Sequence, residues 1–105
     1  MIDIDIDKYL RQTITIKIQG KEVGIMQPTA ELTQRIAEIE EKALKSKNTS
    51  EGLNYGMEIT LLILNNNDKN IEFTMEDVKK IPFKLQNIIK EKIRDMVYEI
   101  NNDPN

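Results

Sequence analysis

The segment Leu53–Leu64, LNYGMEITLLIL, constrains this chain more than any other, because eight of its twelve residues are apolar and little polar surface is left to face water. Wound as a helix, it places Leu53, Met57, Leu61 and Leu64 on one face and Tyr55, Ile59, Leu62 and Ile63 on others, so only a stripe through Asn54 and Glu58 stays polar. It falls short of the roughly 20 apolar residues that span a bilayer. Fully burying eight such side chains contributes about 12 to 24 kcal/mol, against roughly 18 kcal/mol for ordering twelve residues. The helix is therefore stable only when neighbours cover it. A helix over 50–65 is predicted, capped by Thr49 or Ser50 with Glu51 in its first turn, and Gly56 leaves room for a close backbone crossing. The alternative is a strand over Met57–Leu64 paired with Ile71–Phe73 across a loop at 65–70, which sets Leu62 and Leu64 beside Glu58. Helix suits the length and the polar stripe better.

A chain of 105 residues forms a single domain, 1–105, large enough for an ordinary core. It contains no cysteine and no histidine, which removes disulfides, thiolate metal sites, cysteine nucleophiles and the usual general base. A non-enzyme is expected, with no catalytic residue, no cofactor and no metal. The N-terminal MIDIDID is acidic and alternating where a signal peptide is basic and continuously apolar, so a cytoplasmic protein is expected. Net charge is −3, distributed as −5 over residues 1–78 and +2 over 79–105. The late lysines alternate with Glu91, Asp95 and Glu99, a solvated helix face rather than a phosphate-tracking stripe, so neither nucleic acid nor membrane is expected as a partner.

In chain order, Ile2, Ile4 and Ile6 alternate with Asp3, Asp5 and Asp7, the pattern of a charged edge strand or arm over 1–10. A calcium loop counted from Asp3 needs Gly at its sixth position and Glu at its twelfth; Lys8 and Ile14 stand there instead. A second alternation, Thr13–Ile18, followed by a turn at Gln19-Gly20-Lys21-Glu22 and by Val23–Met26, predicts a β-hairpin over 13–26 with Ile14, Ile16 and Ile18 inward. Thr29 then caps a predicted helix over 29–47 with the apolar stripe Leu32, Ile36, Ile39 and Ala43. Thr74-Met75-Glu76-Asp77 has the form of a capping box opening a short helix over 74–81, which Pro82 ends. A last helix over 83–101 steps by 3.6 residues through Leu85, Ile89, Ile93, Met96 and Ile100, whereas a heptad falls on Lys92, Asp95 and Glu99. The stripe belongs to a globular core. The fold class is thus α+β, an N-terminal antiparallel β-hairpin packed on a bundle of three to four α-helices.

The hairpin ITIKIQGKEVGIMQPT leading into an amphipathic helix, a hydrophobic helix and then FTMEDVKKIPFKLQNIIKEKI resembles the small tail assembly chaperones of long-tailed bacteriophages and prophages over residues 13–100. The resemblance implies a virion-assembly factor absent from the finished tail and acting in the bacterial host cytoplasm. Its partners would be the tape measure protein, whose hydrophobic helices it keeps from aggregating, and the tail tube protein, whose subunits it helps recruit. A homo-oligomer and a longer frameshifted product are also implied. Met1–Asp7 lies outside the resemblance, and no catalytic residue carries over.

Such a role requires apolar grooves that accept amphipathic helices, and a surface for self-association. The candidate protein-interaction residues are Ile2, Ile4 and Ile6, as an edge for strand addition, and Phe83, Val97 and Tyr98 on the last helix. The alternative function is a small regulatory adaptor or antitoxin-like protein that binds a single protein partner.

Overall fold

The computed structural model describes residues 3–98. It is an antiparallel two-stranded hairpin at the N-terminal side of a helical body, in agreement with the α+β expectation. The elements are α1 (Ile6–Leu10), β1 (Thr13–Ile18), β2 (Lys21–Met26), α2 (Ala30–Leu44), α3 (Thr49–Leu64), α4 (Met75–Lys79) and α5 (Phe83–Tyr98).

The hairpin closes on two residues, Gln19 (φ 55°) and Gly20 (φ 76°), with Ile18 opposite Lys21. Paired positive φ values match the right-handed twist of the strands, so Lys21 and Glu22 join β2 rather than the turn. Gln19 holds this left-handed backbone with its side-chain amide donating to Asp77 Oδ1 at 2.8 Å. The β1 isoleucines 14, 16 and 18 face the core and are half-buried, while Thr13, Thr15 and Lys17 are exposed.

The covered core joins Val23 and Ile25 of β2, Ile59, Ile63 and Leu64 of α3, Phe73, Val78 of α4 and Ile93 of α5. The hydrophobic stretch is a helix, not a strand, and its neighbours are α2, α4, α5 and the hairpin. Its N-cap is Asn48 in place of the expected Thr49 or Ser50: the Asn48 side chain accepts from the Glu51 amide at 2.8 Å. The deepest stripe runs through Ile59, Thr60, Ile63 and Leu64, whereas Leu53 is exposed and Met57 and Leu61 are half-buried. Helix α3 can turn Thr60 inward because the hydroxyl finds a partner there, as shown below.

The capping box at α4 is complete, with Thr74 Oγ1 accepting from the Asp77 amide and Asp77 Oδ2 accepting from the Thr74 amide. Pro82 ends that turn, and its carbonyl receives the amides of Leu85 and Gln86 at 2.9 and 3.1 Å, which starts α5. The predicted 29–47 helix ends at Leu44. The final turn predicted to 101, with Ile100, lies outside the described residues.

Of the two readings of residues 1–10, edge strand or arm, the described part does not form the strand. Within the described part, Asp3–Asp5 carry no regular structure and Ile6–Leu10 is a helical turn, so no edge strand forms there. The reason is local: the Asp5 carboxylate accepts from the Lys8 amide at 3.1 Å and caps a helix, and no strand lies alongside to reward extension.

Candidate functional site

Two open apolar grooves flank α5, one toward each end. The first lies between α2 and the C-terminal half of α5, with α3 as its floor. Ile36 and Ala37 form one wall, Val97 and Tyr98 the other, and Ile59 and Ile63 the base of a space of about 320 Å³. Its existence follows from how α2 is used. The amphipathic stripe Leu32, Ile36, Ile39, Ala43 faces inward as the spacing predicts, yet none of the 15 residues of α2 is fully buried. The helix lies over the core without closing it.

Charge at this groove is supplied by Lys90, with Glu40 and Arg94 on the rim. Burial pushes the Lys90 ammonium below its ordinary pKa of 10.5, and the Glu40 carboxylate partly offsets this. Gly56 of α3 is part of the same arrangement. A Cβ there would stand 3.3 Å from Lys90 Nζ, so the glycine makes room for an ammonium rather than for the backbone crossing expected of it.

The second groove lies between β1 and the N-terminal half of α5. It encloses about 530 Å³ between Ile16 and Ile18 on one side and Ile81, Leu85, Ile88 and Ile89 on the other. Lys17, Gln19, Asp77 and Lys80 edge it. Hydrogen bonds from the Thr74 amide and from the Gln19 side chain hold the Asp77 carboxyl below its usual pKa.

Of the six residues singled out from sequence, Val97 and Tyr98 come together in the first groove. Phe83, 40% exposed at the start of α5, lines neither of the two grooves, and Ile4 and Ile6 are 73% and 65% exposed on the arm. Ile2 lies outside the described residues. Leu85, expected in the core, is exposed and lines the second groove; the adjacent Gln86 is buried in its place.

Gln86 is 1% exposed and Thr60 0%, and they form a polar joint between α3 and α5 that a hydrophobicity pattern hides. Thr60 Oγ1 donates to Gln86 Oε1 at 2.8 Å, while Gln86 Nε2 donates to the carbonyls of Val78 (3.2 Å) and Ile81 (2.9 Å) at the end of α4. One amide thereby sets the rotation of α5, and with it which side chains line the grooves.

In sequence, residues 65–70 read as a loop, with Ile71–Phe73 a strand under the alternative reading. In the structure Asn66–Asp68 run beside β2 as a substitute third strand: Ile25 bridges Asn67, the Met26 amide donates to Asn66 O and the Asp68 amide donates to Gly24 O, both at 2.9 Å. The buried Asn67 side chain donates to Leu64 O and Ile71 O and accepts from the amides of Lys69 and Ile71, using its full capacity of four bonds.

Comparison with known proteins found no matching family model, no matching curated protein and no matching solved structure. The resemblance to tail assembly chaperones therefore rests on the sequence pattern. Among the described residues no group of three or more Asp or Glu side chains is placed to hold a metal ion, and no helix is long and apolar enough to cross a membrane.

Proposed function

We propose that this protein is a non-enzymatic tail assembly chaperone that seats amphipathic helices of a tape measure protein in the groove between α2 and α5 and helps recruit tail tube subunits. The observation that carries the reading is the incomplete closure of that groove. A helix with a correct apolar stripe and no fully buried residue leaves Ile36, Val97 and the side of Ile59 ready for another apolar stripe. An amphipathic helix presents such a stripe through its i, i+3, i+4 and i+7 positions. Lys90 and Arg94 on one side and Glu40 on the other would pair with the charged flanks of the incoming helix.

The test is co-expression with the tape measure protein. Wild-type protein should hold the client in the soluble fraction, and Val97→Asp should lose that ability while keeping its own helical circular dichroism and melting transition. Failure of the wild type to solubilise the client even in excess contradicts the reading. A fixed complex with one small partner points instead to an adaptor.

A further inference from the structure

The groove beside β1 and residues 3–7 match each other in three ways. First, β1 pairs only with β2, so its outer edge has no strand alongside among the described residues and offers unpaired backbone groups to an added strand. Second, the apolar side chains agree in period. Even-numbered Ile14, Ile16 and Ile18 point to the core side of β1, and even-numbered Ile4 and Ile6 are the apolar residues of the arm. An antiparallel arm with Asp3 opposite Lys17 sets Ile4 opposite Ile16 and Ile6 opposite Ile14, apolar on the groove side throughout, because directly paired residues share a face. Third, one charge pair complements: that register puts Asp3 across from Lys17 on the face away from the groove, with Asp5 and Asp7 across from the uncharged Thr15 and Thr13.

We propose that the arm of one copy of this protein docks as an added strand on the free edge of β1 in a second copy, with Ile4 entering the groove formed by Ile16, Ile81, Leu85 and Ile88. Asp5 already has extended backbone angles, φ −98° and ψ 93°, and Ile6 and Asp7 leave the first turn of α1 to complete the register. In a single chain the arm leads into α1 with its isoleucines exposed and the groove uncovered; exchange between copies covers both, and α1 serves as the hinge. The inference goes beyond the client reading and stands or falls without any client.

The chain has no cysteine, which makes single thiols unambiguous probes. Isotope-labelled Ile4→Cys protein and unlabelled Leu85→Cys protein are mixed under mild oxidation, and the disulfide-linked peptides are identified by mass spectrometry. The mixed link, joining position 4 of a labelled chain to position 85 of an unlabelled one, should dominate over either symmetric link. In parallel, Ile4→Asp should weaken self-association by about tenfold or more, a loss of about 1.4 kcal/mol, with an unchanged far-ultraviolet spectrum. Three results overturn the proposal: wild type that stays monomeric as concentration rises, an Ile4→Cys/Leu85→Cys double variant that links only within its own chain, or a dimer that Ile4→Asp leaves intact.

Discussion

Two parts of this molecule cover the same central helix to different degrees. Where residues 65–73 pass beside β2, the core is closed by directional bonds: Asn65, Asn66, Asn67 and Asp68 all bond backbone groups across the segment or on β2. Where α2 and the end of α5 lie over α3, apolar side chains meet without closing, and Lys90 sits half-buried among them. A side chain lost from the first region strands buried polar partners, which costs their full desolvation. A side chain lost from the second gives up only part of its burial. The difference separates the part of the chain that specifies the fold from the part left open to solvent.

Substitutions graded by this contrast should fall in order. Asn67→Ala removes four bonds from buried or half-buried backbone groups, and we expect a loss of about 3 kcal/mol or more, read as a fall in Tm of roughly 12 °C or more. A change of only a few degrees would show that water replaces the amide and that the closed region is less closed than described.

Gly24→Ala comes next. The added methyl would lie 2.5 Å from Asp68 Oδ2 and 3.0 Å from Thr13 Cβ, pressing on the strand-like pairing from both sides. A loss of about 1 to 3 kcal/mol by denaturant unfolding is expected.

On the open side, Ile36→Ala should cost less, about 1 kcal/mol, because the side chain is only half-buried and leaves no enclosed cavity. A loss equal to that of Ile63→Ala, on the fully covered face of α3, would erase the contrast.

The smallest effect concerns pH. Burial lowers the Lys90 pKa in the folded state, so the folded protein holds that proton less tightly than the unfolded chain. The penalty is complete below the lowered pKa and is relieved as pH rises from there toward 10.5, so stability gains with pH in that window. Lys90→Met should remove this gain, and the difference between the two proteins' pH profiles isolates it.

What the sequence made legible was whatever periodicity controls. The hairpin, the stripe of α2, the helical state of Leu53–Leu64 and the capping box at Thr74 all follow from spacing and turn chemistry. Two departures within the body of the fold, at Gln86 and at Asn66 and Asp68, share one cause, which is side-chain hydrogen bonding over distance. Gln86 displaces Leu85 from the core because its partner Thr60 stands 26 residues earlier. Asn66 and Asp68 read as parts of a polar loop because their partners on β2 lie some 40 residues away in sequence, whereas the Asn67 side chain bonds groups within four residues of itself. A polar run directly after an apolar helix was the available signal for such a turn, yet nothing in one sequence names its partner. The candidate site was half legible: Val97 and Tyr98 meet in one groove, while the groove beside β1 depends on the rotation that Gln86 imposes.

Native-state hydrogen exchange, resolved residue by residue without client, tests the contrast most directly. Amides in the second half of α3, at Ile71 and Phe73, and at Met26 and Asp68, where β2 meets the strand-like segment, should exchange only through global unfolding. Those of α2 should exchange through local opening at clearly lower free energy. Uniform protection across α2 and α3 would contradict the account, because it would mean that α2 belongs to the same finished core.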